Sequence, residues 1–137
     1  MPDNIDIRFA TISDAVAFSD AFRAVAEPLT LYNHWAKRVE FETYAPGNVA
    51  AILAQDPHSI LLAFSDGEVA GFLVTRPDDG PLWLSWFGVL PQYRGRGLSG
   101  QLFERVISEA SRRGIGKIWC DCRDGNSYRR AKVLTLR

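Results

Sequence analysis

One stretch, VLPQYRGRGLSGQLFERV at residues 89 to 106, restricts the fold more than any other. The apolar, aromatic-rich run Leu82 to Val89 reads as a strand buried on both faces, near the centre of a sheet. After Pro91, the segment Arg94-Gly95-Arg96-Gly97-Leu98-Ser99-Gly100 leads straight into a helical stripe of Leu98, Leu102, Phe103, Val106, Ile107 and Ala110. Glu104, Arg105, Glu109, Arg112 and Arg113 fall mostly on the other face, and Gly114 supplies the stop. Strand, glycine loop and helix in this order make an anion site. Glycines let a ligand approach the backbone, and the helix start adds unpaired N–H donors and the positive end of its dipole. Arg94 and Arg96 add fixed positive charge. The spacing lacks the Lys-Ser/Thr of a nucleotide-hydrolysing loop and the three glycines of a dinucleotide fingerprint, which disfavours both.

The next strand, Ile115 to Cys122, completes a parallel strand-helix-strand crossover, expected to be right-handed. Upstream, Ile5, Ile7 and Phe9 alternate with polar or small residues and predict a first strand. Thr11 and Asp14 resemble a capping box before Ala15, Phe18, Phe22 and Val25, a first helix interrupted at Pro28. Tyr32, Trp35 and Val39, then Val49, Ile52 and Leu53, predict two irregular helical pieces separated at Pro46-Gly47. Ser59 to Phe64 and Val69 to Thr75 flank Asp66-Gly67, a hairpin signature, and Pro77 to Gly80 makes a second turn. From Asn126 onward the chain reads as a last helix. These elements predict one α/β (α+β) domain over residues 1–137, a mixed, mostly antiparallel sheet flanked by helices.

Sixteen basic residues balance sixteen acidic ones among 137, and 47% of the residues are hydrophobic, so neither disorder nor bulk electrostatic binding of nucleic acid is expected. A single Arg-Gly-Arg-Gly in a folded setting also lacks the repetition of an RNA-binding tract. The apolar runs are too short to span a bilayer, and MPDNIDIRFA is no signal peptide, which makes the cytoplasm the default location. Cys120 and Cys122 have no histidine or further cysteine near them in sequence, so two buried thiols are expected and no metal site.

Val89-Leu90-Pro91 followed by Arg94-Gly95-Arg96-Gly97-Leu98-Ser99 resembles the signature of the GNAT acetyltransferase superfamily, and the element order matches from residue 5 to about 135. The resemblance implies an acetyl-CoA-dependent N-acyltransferase acting on a primary amine of a small molecule or peptide. Arg94, Gly95, Arg96, Gly97, Leu98, Ser99 and Gly100 would hold the coenzyme A pyrophosphate. Phe87, Gly88 and Val89 would pair their backbone with the pantetheine arm, and Asn126 would contact that arm. A backbone N–H of Val89 or its neighbour would stabilise the oxyanion.

The chain also departs from the family. Ser99 stands where Gly or Ala is usual, residues 82 to 90 contain no carboxylate, and Tyr128 lies too early to match the usual tyrosine, so no catalytic residue is assigned. Two further strands usually follow the last helix, whereas this chain stops at Arg137. The expectation is a C-terminally shortened domain whose strand 115 to 122 has an open edge, suited to a homodimer or another partner. A non-catalytic module that binds coenzyme A or a protein is the alternative. The family takes acceptor specificity from the segment corresponding to residues 27 to 44. There Glu27, Tyr32, His34, Trp35, Glu40, Glu42 and Tyr44 are candidates to attract a cationic amine, with His34 a possible base. For any single one of these residues the favoured reading is plainer: Tyr32, Trp35 and Val39 as the core face of a helix, with the carboxylates on its wet face. Trp83 and Trp86 fall on opposite faces of a regular strand.

Overall fold

A computed structural model describes the backbone of residues 4–30, 32–77, 79–123 and 128–135, and side chains within those ranges as far as residue 120. Six strands form one sheet in sequence order: β1 (Ile5–Phe9), β2 (Ile60–Ser65), β3 (Glu68–Pro77), β4 (Leu82–Val89), β5 (Lys117–Arg123) and β6 (Tyr128–Thr135). Every neighbouring pair is antiparallel except β4 and β5, which are parallel. The helices are α1 (Ala15–Ala26), α2 (His34–Thr43), α3 (Pro46–Gln55) and α4 (Leu98–Arg112). This is the mixed, mostly antiparallel architecture expected. No helix among the described residues is long and apolar enough to cross a membrane.

Local chemistry explains most element boundaries. The Thr11 N–H donates to Asp14 Oδ2 at 2.8 Å in a capping box, which opens a single 3-10 turn ahead of α1. Pro46 does not separate α2 from α3 by breaking a helix; it occupies the first turn of α3, where its missing N–H costs nothing. Asp66 and Gly67 both adopt positive φ, +50° and +85°, and turn β2 back into β3.

The sheet carries a core on each face. Phe18 and Phe22 of α1 and Val49 and Leu53 of α3 pack on Ile60, Leu62, Phe72 and Val74, while Leu102, Val106 and Ala110 of α4 pack on Leu61, Leu73, Leu82 and Leu84. Fully burying an aliphatic or aromatic side chain of this size contributes roughly 1.5–3 kcal/mol, so these layers set the position of everything else.

Two expectations fail here. Residues 128 to 135 form β6 rather than a helix and pair with β5, so the edge of β5 expected to be open is covered. Its exposed N–H and C=O groups are satisfied by the chain's own next segment, a tertiary demand that outweighs local preference. On α2, Trp35 is 69% exposed and Val39 43% exposed, so neither is core. A helix turns 100° per residue, which sets Phe41 and Tyr44 opposite Trp35 and Val39. That opposite face is the one turned inward, with Tyr44 buried and Phe41 packed on the α1 core.

Candidate functional site

The β4–β5 pair is the origin of the site. These two strands are in register at only two positions, Leu82 with Ile118 and Trp83 with Trp119. Beyond Trp83 they diverge. A β-bulge opposite Val74 and Thr75 adds to the divergence: Val74 faces Trp86 and Thr75 faces Leu84, leaving Ser85 as the extra residue. The Ser85 hydroxyl donates to the Val74 carbonyl at 3.2 Å.

The bulge also changes which side chains share a face. Leu82 and Leu84 pack with the α4 core and Trp86 with the α1 core, although they are spaced two apart. Alternation then turns Trp83 away from Leu82 and Leu84, toward the face that holds Trp86. The expectation of opposite faces held only for a regular strand. Nor is β4 buried on both sides, since Phe87 is 38% exposed and rests on Phe103 of α4 at 5.1 Å between ring centroids.

Backbone directions at the end of β4 follow from two contacts. The Leu90 N–H donates to Ala70 at 2.9 Å, and the Gly88 carbonyl points at Gly71 of β3. Strand alternation then turns the backbone groups of Phe87 and Val89 toward the gap. Gly88 has a separate reason to be glycine: a Cβ there would lie 2.7 Å from Val25 Cγ1 and 3.0 Å from Phe72 Cζ. Only a bare backbone lets α1 lie this close.

The gap opens into a cleft of about 940 Å³ that continues to the loop between β4 and α4. Phe87, Gly88, Val89, Arg94, Gly95, Gly97, Leu98 and Ser99 line it. Arg96 and Gly100 belong to the same loop and first helical turn without lining the cleft, and Asn126 lies outside the described residues. Gly97 precedes α4 at φ +77°, and the first intrahelical donor is the Gln101 N–H, bonded to the Gly97 carbonyl. The N–H groups of Leu98, Ser99 and Gly100 come before that bond and head the helix dipole. Arg94 Nε donates to the Val89 carbonyl at 3.0 Å, which ties the loop to the strand end. Arg96 donates to the Gln92 carbonyl and lies over the Tyr93 ring.

At the other end of the cleft stand Tyr32, Glu40, Thr43 and Tyr44 with Arg76 and Trp86. The Trp86 indole N–H donates to Glu40 Oε2 at 3.2 Å, and the Tyr32 ring lies 5.3 Å from the Trp86 ring. Burial pushes the Tyr44 phenol up, against a smaller opposing effect of its hydrogen bond with Ser85. The candidate acceptor residues therefore divide. Glu27, His34 and Glu42 line a separate depression of about 500 Å³, and Trp35 lines neither, so His34 does not reach the main cleft. Cys120, not in a disulfide, is half-buried and lines the cleft, unlike the buried thiol expected.

Residues 26–131 match the family model described as the acetyltransferase (GNAT) family. The chain belongs to that family. An uncharacterized N-acetyltransferase of Mycobacterium tuberculosis is 27% identical over 106 residues, covering 77% of this chain and 67% of that protein. The fold is shared with many solved structures, among them two bound to coenzyme A or acetyl-CoA. The PaiA N-acetyltransferase of Thermoplasma acidophilum, in complex with coenzyme A, superposes with a TM-score of 0.77 at 19% identity, over 90% of this chain and 82% of that one. A GNAT family acetyltransferase of Brucella melitensis, in complex with acetyl-CoA, gives 0.74 at 19% identity, over 98% and 89%. This GNAT chain was recognisable from its loop. What its sequence did not disclose was the bulge at Ser85 and the meeting of Glu40 with Trp86. The helical angle that groups Glu40, Phe41 and Tyr44 was the available signal for the second.

Proposed function

We propose that this GNAT protein transfers the acetyl group of acetyl-CoA to a primary amine of a small molecule or peptide, acting as a single domain. The observation that carries the proposal is the continuous cleft from the β4–β5 gap to the start of α4. An extended ligand with an amide-bearing arm and a pyrophosphate fits it: backbone groups of Phe87 and Val89 face the gap, and the loop residues at the head of α4 offer N–H donors. The crevice beyond the carboxyl end of a strand, at a helix N-terminus, is where such anions bind.

In this assignment Arg94, Gly95, Gly97, Leu98 and Ser99 bind the pyrophosphate, with Arg96 and Gly100 supporting the loop. Phe87, Gly88 and Val89 align the arm. The Phe87 or Val89 N–H is positioned to stabilise charge on the thioester oxygen. The amine approaches from the Glu40 and Trp86 end, so the two substrates meet at the bulge.

The first test is thermal unfolding with and without millimolar acetyl-CoA. At a hundredfold excess over the dissociation constant, binding stabilises by about 2.7 kcal/mol, a clear rise in Tm. No rise in a cooperatively folded chain would reject the cosubstrate assignment. A chain that binds acetyl-CoA yet releases no coenzyme A with any amine would instead be the non-catalytic module.

A further inference from the structure

Glu40 is the one carboxylate lining the cleft among the described residues. It comes from α2, not from the central strand, and its position is fixed by the indole of Trp86, the residue immediately before Phe87. Among the described residues Oε2 accepts that indole N–H and no cation pairs with the carboxylate. Tyr32 packs its ring on Trp86, so a carboxylate and two aromatic rings border the same space. That combination suits an ammonium group, which gains from an opposite charge and from aromatic faces together. Arg76 and the phenols of Tyr32 and Tyr44 are the other charged or titratable groups at this end. Arg76 carries the opposite charge to Glu40, so of these groups only the Glu40 carboxylate attracts an ammonium.

We infer that Glu40 binds the acceptor's ammonium group and takes its proton, an inference that rests on the N-acetyltransferase function proposed above. The proton balance is complete without a further reagent. The ammonium gives one proton to the Glu40 carboxylate; the nitrogen lone pair forms the new bond to the thioester carbonyl carbon; the carbon–sulfur bond breaks. The second proton lost by nitrogen passes to the departing thiolate, and Glu40 returns its proton to water. The neutral amide then has no charge for Glu40 to hold, which favours product release.

The test compares Glu40→Gln with the wild type and with Glu42→Gln, an exposed carboxylate on the same helix. Gln keeps an oxygen for the Trp86 indole, so the fold and acetyl-CoA binding should persist. Two readouts apply. Tryptophan fluorescence of the unliganded chain is followed during titration with 2-phenylethylamine and with 2-phenylethanol, its uncharged counterpart. Thiol release from acetyl-CoA is followed with 2-phenylethylamine, spermidine and a tripeptide with a free amino terminus.

Glu40→Gln is expected to weaken amine binding at least tenfold and to lower kcat/KM about 100-fold, with partial recovery as pH rises and the amine loses its proton unaided. Glu42→Gln should match the wild type. Equal amine affinity in wild type and Glu40→Gln, or an unchanged pH profile, would overturn the role of Glu40. Failure to bind acetyl-CoA would reject the proposed function instead, and would leave a Glu40-dependent amine titration standing.

Discussion

Gly88 on β4 lies directly beneath Val25 on α1, and a single Cβ at residue 88 would come within 2.7 Å of Val25 Cγ1. This contact seats α1 against the sheet at the point where the backbone of Phe87 and Val89 turns to the gap.

Gly88→Ala is therefore expected to overpack this contact. Val25 and Phe72 are both buried and have little room to retreat. Destabilisation should be about 1–3 kcal/mol. Urea unfolding measures it, with a lower midpoint at an unchanged slope; a midpoint equal to the wild type would show that α1 shifts freely.

Gly97 makes the opposite case. A Cβ there meets nothing within 4 Å, so a side chain has space, but φ of +77° penalises any L-residue by about 1–2 kcal/mol. Gly97→Ala should lower Tm modestly. Gly97→Trp should fold as well and yet lose the acetyl-CoA-induced rise in Tm, because a bulky group at the head of α4 keeps a pyrophosphate away from the N–H donors. A normal rise in Gly97→Trp would mean that the anion binds elsewhere.

Asp14 predicts the acid limb of stability. The Arg8 guanidinium, hydrogen-bonded to Asp14 at 2.8 Å, holds its carboxyl below the usual range; the Thr11 N–H and hydroxyl add to this, and burial opposes it. A carboxyl with a depressed folded value gives stability that is fully present above its unfolded value, about pH 4, and lost as pH falls through the folded value. Asp14→Asn should be less stable than wild type near neutral pH. The gap should begin to narrow below about pH 4, where the unfolded wild-type chain takes up the proton first, and close as pH falls through the lower folded value of Asp14. Denaturation midpoints across that range check it; a constant gap would remove Asp14 from the acid limb.

Much of the fold is legible in the sequence. Ile5, Ile7 and Phe9 announced β1, Asp66-Gly67 placed the hairpin, and the stripe from Leu98 to Ala110 defined α4. Each of these signals is local, a period of two or of 3.6 or a backbone angle that few residues accept. In the site, the Gly95 and Gly97 loop was legible for the same reason. The contribution of α2 was misassigned, because Trp35 and Val39 display a helical period as convincing as the one that is buried. Apolar spacing says that a helix has a face, not what that face meets.

The sequence by itself determined the strand-loop-helix unit from Leu82 to Arg112, the order of the elements before residue 123, and hence the family. Those features depend on contacts within a few turns or on the φ of single residues. Only the tertiary structure decided that β6 would be a strand, that Ser85 would form a bulge, and that Glu40 would reach Trp86, 46 residues away. Each of these is settled by a partner distant in the chain: the unpaired edge of β5, the register against β3, the cores that fix α2. Hydrogen-bond satisfaction and close packing act on the assembled sheet, and no short window of sequence contains both sides of those contacts.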